Sequence, residues 1–105
     1  MGQNFSMVTE GTVAKITLVD KIDTTNAPAL ADELKTLVGK NIERIVFLAK
    51  DLKYISSAGL RAIVFAKQKI GKNTNVYLVG APKEILNVFK MTGFDSFVIV
   101  QETYE

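Results

Sequence analysis

The stretch Lys53-Tyr54-Ile55-Ser56-Ser57-Ala58-Gly59-Leu60-Arg61-Ala62-Ile63-Val64-Phe65-Ala66-Lys67-Gln68-Lys69-Ile70-Gly71 decides how the chain is read. It follows a strand-like run, Ile45 to Ala49, turns through two serines and a glycine, and then keeps helical spacing. Leu60, Ile63, Ala66 and Ile70 fall on one side of a helical wheel with Gly59 and Ala62 beside them, the spacing of a helix packed on a sheet. Ser57, Arg61, Val64 and Gln68 recur at steps of three and four on the opposite side, flanked by Phe65. The first side is expected to be buried and the second to meet solvent or a partner.

A serine ahead of an amphipathic helix ordinarily satisfies a free N–H of the first turn, and Ser56 suits that role. Neither serine is followed three residues later by Glu or Gln, those positions being Gly59 and Leu60, so no capping box is formed. Ser57 is left over. It stands near backbone N–H groups without intrahelical partners and near the positive end of the helix dipole, where a phosphate is tolerated. Isolated apolar residues such as Val64 and Phe65 are ordinary on a surface; their grouping with Ser57 and Arg61 is what suggests an interface.

Outward from this stretch, the remaining segments alternate. A first strand is expected at Phe5 to Thr9, a turn at Glu10-Gly11 and a second strand from Thr12 to Val19, together an edge hairpin. After a polar segment through Asp23, a helix shows Ala27, Leu30, Ala31, Leu34 and Leu37 or Val38 on its buried side, with Thr25 or Asn26 as cap and Pro28 in its first turn. Gly39 and Gly71 each read as the left-handed residue after a helix. The Gly-Lys pairs there lack the rest of a phosphate-binding loop motif. Ile45 to Ala49, Val76 to Val79 and Phe97 to Val100 are continuous apolar runs, expected as strands covered on both faces or central in a sheet. Between the last two, Pro82 opens a third helix, Ile85, Leu86 and Phe89 form its stripe and Gly93 closes it. The order β-β-α-β-α-β-α-β implies one α/β domain over residues 1–105 with right-handed crossovers and a mixed, mostly parallel sheet.

Composition narrows function by exclusion. The 105 residues include 13 basic and 11 acidic ones, a net charge of +2, with no concentrated basic stretch to recommend nucleic acid as a partner. Without Cys or His there is no disulfide, no thiol or imidazole catalysis and no usual transition-metal site, and no cofactor is expected. No apolar run is long enough to span a membrane and the N-terminus lacks signal-peptide character, so a cytoplasmic location is expected. Met1 to Ser6 matches the short N-myristoylation pattern, for which a coincidental Gly2 is the plainer explanation. Gln101 to Glu105 reads as a tail.

The run YISSAGLRAIVFAKQ, with an apolar strand before it, VDKIDTTNAPAL upstream and NVFKMTGFDSFVIV near the end, resembles the STAS domain, and within it the anti-sigma factor antagonists. The resemblance covers nearly the whole chain. It implies a small mixed sheet with an antiparallel N-terminal strand and helices mainly on one face. It also implies a non-enzymatic partner-switching module: the serine aligned on Gly59-Leu60, Ser57, is phosphorylated by an anti-sigma factor serine kinase of the GHKL ATP-binding type and dephosphorylated by a metal-dependent serine phosphatase. Only the unphosphorylated form binds the kinase and frees the sigma factor. The family acid in the loop before the first helix corresponds to Asp23. Ser56 and Ala58 flank the site where relatives commonly carry an acid and a second hydroxyl residue; Lys21 stands for a common glycine and Leu48 for an acid.

The expected site therefore comprises Ser57, with Ser56 as alternative phosphate acceptor, and a partner surface of Asp23, Ser56, Ser57, Arg61, Val64, Phe65 and Gln68. Two other readings compete. In one, the same fold binds a partner constitutively, as a scaffold in a signalling, secretion or transport complex, and Ser57 is only a cap. In the other, Ser57 is a nucleophile, which would need Lys53 or Asp23 as its base in a chain without histidine.

Overall fold

Ala14, Ile16 and Leu18 alternate along the chain and are wholly buried, as one face of a strand laid on a core requires. In the computed structural model, which describes residues 4–70 and 74–103, they belong to the second strand. The elements are β1 (Phe5–Glu10), β2 (Val13–Ile22), α1 (Ala27–Lys35), β3 (Arg44–Ile55), α2 (Ser57–Lys69), β4 (Asn75–Val79), α3 (Lys83–Thr92), a 3-10 turn (Phe94–Phe97) and β5 (Ile99–Gln101). The five strands lie in the order β1-β2-β3-β4-β5, with β1 antiparallel to β2 and the remaining pairs parallel.

Each crossover steps to the adjacent strand in the same direction, so right-handed connections place all three helices on one face. A single apolar cluster joins Ile16 and Leu18, Ile45 and Phe47, and Val76 and Leu78 of the sheet to Leu30 and Leu34 of α1, Leu60 and Ile63 of α2, and Ile85 and Phe89 of α3. Val46 and Val79 are buried outside that cluster, on the opposite face where strand alternation puts them. The expected element order, the edge hairpin and the mostly parallel sheet are all present.

Several boundaries differ from expectation. The second strand was expected to stop at Val19 and the third at Ala49. Both run on side by side through Val19↔Asp51 and Asp20↔Leu52 to Ile22↔Ile55. Register shifts between Thr17 and Val19 and between Asp20 and Lys21, with Asp20 at φ 59°, break the period of two. Polar residues and a lost alternation concealed this extension.

α1 ends at Lys35, short of Gly39. The N–H groups of Thr36, Leu37 and Val38 bond to carbonyls three residues back, a tightened turn that Gly39, at φ 83°, closes in place of the helix itself. Leu37 is buried and Val38 is 48% exposed, which decides between them. Gly93, at φ 77°, caps α3 as expected.

The last apolar run is not a covered strand: Phe97 belongs to the 3-10 turn, and β5 is an edge strand whose three residues are exposed. The helix stop at Gly71, Met1 to Gln3 of the acylation pattern and Tyr104 and Glu105 of the tail lie outside the described residues.

Candidate functional site

The start of α2 is positioned by the ends of β2 and β3. Ser56 is the N-cap: its Oγ accepts from the Gly59 N–H at 3.2 Å, and its own N–H donates to the Ile22 carbonyl at 2.8 Å. Gly59 then lies against both strands. A Cβ there would come within 2.8 Å of Ile22 Cγ2 and of Ile55 Cγ1, so glycine is what lets the first helical turn sit this close. Ser57 is the first helical residue and is exposed, outside the capping bond. The cap expected at Ser56 is present, and Ser57 takes no part in it.

The loop before α1 is held by its own side chains. Asp23 Oδ1 accepts from the Thr25 N–H at 2.9 Å and from the Thr25 hydroxyl. Asn26 Oδ1 accepts from the Asp23 N–H at 2.7 Å, and Asn26 Nδ2 donates to the Lys21 carbonyl at 2.9 Å. Asn26 occupies the N-cap position of α1 yet makes no side-chain capping bond, because its amide is committed to this loop. The hydrogen bond from the Thr25 hydroxyl, that from the Thr25 N–H and the nearby Lys21 charge hold the Asp23 carboxyl below its ordinary value, so it is ionised. Asp23 directly follows Ile22, whose carbonyl ties down Ser56; the acidic loop and the two serines therefore share one end of the sheet. Among the described residues, no hydrogen bond links Asp23 or Lys53 to Ser57.

Beside Ser57 a groove of about 350 Å³ runs between the two neighbouring helices. Ala58, Arg61, Ala62 and Phe65 form its α2 wall, and Ala27, Pro28, Ala31 and Lys35 its α1 wall. Lys35 Nζ lies 5.9 Å from the Phe65 ring centroid and 3.8 Å from the Asp32 carboxylate. The structure thus brings Arg61 and Phe65 together with α1. Val64, half-buried, and Gln68, exposed, lie outside the groove lining, on the adjoining surface of α2.

Sequence reasoning missed Pro28, Ala31 and Lys35. The signal was the recurrence of the small residues Ala27, Pro28 and Ala31, which leave space between α1 and α2. Among the described residues, no group of three or more carboxylates is placed to hold a metal ion.

Residues 4–105 match the STAS domain family, and the chain belongs to it. BtrV of Bordetella bronchiseptica, provisionally named an anti-sigma factor antagonist, is 34% identical over 85 residues, which span 80% of this chain and 73% of that protein. The crystal structure of an anti-sigma factor antagonist from Mycobacterium paratuberculosis matches with a TM-score of 0.82 at 21% identity, covering 94% of this chain and 85% of the other. The Bacillus cell fate determinant SpoIIAA in its phosphorylated form matches with a TM-score of 0.73 at 13% identity, covering 91% and 89%. At these identities the two structures speak for a shared fold.

Proposed function

We propose that this STAS domain is an anti-sigma factor antagonist that works by partner switching. Unphosphorylated at Ser57, it binds an anti-sigma factor serine kinase of the GHKL type and so releases a sigma factor. That kinase phosphorylates Ser57, and a metal-dependent serine phosphatase restores the hydroxyl. The observation that carries this reading is that Ser56 supplies the helix cap, which leaves Ser57 exposed at the head of α2 with its hydroxyl unused by the cap. The name of the BtrV relative supports the antagonist role, and the existence of a phosphorylated form of SpoIIAA, a protein of the same fold, supports the modification.

The physics of the switch is local. A phosphoserine adds roughly −1.5 to −2 charges at neutral pH. At the head of α2 the free N–H groups and Arg61, one turn on, stabilise that charge in the unbound protein. A partner seated on Ser57 and the α1–α2 groove would instead have to bury it, and a buried charge without a matched counter-ion is strongly unfavourable. Binding is lost without refolding.

Incubation with the kinase and ATP followed by phosphopeptide mapping tests the proposal. A single phosphate absent only from Ser57→Ala is expected, and Ser57→Asp should weaken the kinase complex by at least roughly 30-fold, equivalent to about 2 kcal/mol. A phosphate lost only in Ser56→Ala would move the site by one residue. Unmodified protein whose Ser57→Asp variant binds as tightly as the original would make the domain a constitutive scaffold.

A further inference from the structure

The strands of the sheet do not all end together, and a groove lies at the end where they part company in length. β3 pairs with β4 only as far as Leu48↔Val79 and then continues to Ile55 with β2 alone. β4 ends at Val79, Gly80 follows at φ 71° still close against Lys50 of β3, and β5 ends at Gln101. A groove of about 940 Å³ lies over the carboxyl ends of the parallel strands. Its apolar lining includes Leu48, Val79, Leu86 and Val100, and its charged residues are Lys50, Asp51 and Glu102. None of its lining residues belongs to the α1–α2 groove beside Ser57.

We propose that this groove is a second binding site, for an uncharged, largely apolar small molecule carrying a hydrogen-bonding group. Three observations select that chemistry. The volume lies within the range of about 300–1,000 Å³ usual for small-molecule sites. The apolar residues come from four strands that meet at one space, Leu18 of β2, Leu48 of β3, Val79 of β4 and Val100 of β5, with Leu86 of α3 beside them. Two carboxylates against one ammonium give the rim a net negative charge, which disfavours phosphates and other polyanions, while Gln101 and Thr103 offer neutral hydrogen-bonding groups.

The test uses N-phenyl-1-naphthylamine, a neutral apolar fluorophore, titrated into the whole domain, with amide chemical shifts recorded in parallel. Saturable fluorescence enhancement is expected, with shifts concentrated at Lys50, Asp51 and Val79 to Ala81. Val100→Glu, at an exposed lining position on β5, should weaken binding at least tenfold, and Ala81→Trp, which fills the groove from another element, should do the same if Val100→Glu does not fold. Phe65→Ala, in the other groove, should leave it unchanged. The anionic 8-anilinonaphthalene-1-sulfonate should bind at least tenfold more weakly than the neutral probe, and ATP should not displace the latter. Absence of saturable binding, binding insensitive to both groove variants, or binding lost in Phe65→Ala would overturn the proposal.

Discussion

Ser56 and Ser57 are adjacent and chemically identical, and the helix start separates their roles. Removing the cap in Ser56→Ala should cost about 1 kcal/mol, whereas Ser57→Ala, at an exposed first-turn position, should change stability by less than about 0.5 kcal/mol. Urea denaturation of both variants reads this directly, and equal losses would contradict the assignment of the cap. Gly59 makes a sharper prediction. Alanine is the better helix former, yet its Cβ would meet two isoleucine side chains at 2.8 Å. Gly59→Ala should therefore destabilise the domain by about 1–3 kcal/mol, the usual cost of overpacking. Asp23 adds a dependence on pH. Its carboxyl is depressed below the ordinary value, so its contribution to stability is full above the unfolded-state pKa and is lost as pH falls through the folded one. The loss belongs to the acid side of the ordinary carboxylate range. In Asp23→Asn the fall in stability across that range should be shallower, and a carbon-detected NMR titration of the native protein should place the Asp23 midpoint below that of an exposed aspartate.

At the scale of elements, the pairing of α1 with α2 makes the candidate interface, and neither helix presents it alone. Phe65 is half-buried in the α2 wall under the Lys35 ammonium of α1, and Arg61 stands exposed between it and Ser57. Interface energy concentrates in aromatic and arginine anchors. Phe65→Ala and Arg61→Ala should each weaken the proposed kinase complex by more than about 1 kcal/mol, or roughly fivefold and upward, with the circular dichroism spectrum unchanged. Full affinity in both variants, measured by calorimetric titration, would place the partner elsewhere. Gln68 and Val64, outside the groove lining, should matter less than these two. The same pairing explains what the sequence concealed: Ala27, Pro28 and Ala31 read as a helix start and a buried stripe, and their second role as a groove wall exists only once α2 lies alongside.

The whole molecule is organised around β3, which pairs with β2 along its length and with β4 over its first half. Phe47 lies on its buried face and is 0% exposed. Truncation in Phe47→Ala removes contacts with the helix layer and should cost about 3–5 kcal/mol, read as a fall in the urea midpoint; a loss under about 1 kcal/mol would show that the core can close over the gap. β3 outlasts β4, its far end leads into Ser57 beside the acidic loop that follows β2, and the larger groove lies where its pairing with β4 ends. One strand thus sets the location of both candidate sites.

Period and punctuation were enough to read the element order, the buried side of α2, the cap at Ser56, the left-handed glycine after α3 and the solvent-facing Ser57 and Arg61, because each depends on residues within a few positions of one another. The extension of β2 and β3 was not legible, since bulges erase alternation and the pairing that stabilises those polar residues joins positions some thirty apart in the chain. Nor was the exposure of β5: an apolar run looks the same at the edge of a sheet as at its centre, and only the order of strands distinguishes them. The grooves belong to the same class of feature. Local sequence determines which residues can form a helix start or a strand; which surfaces then face each other, and what space they leave between them, is decided by non-local packing in the tertiary structure.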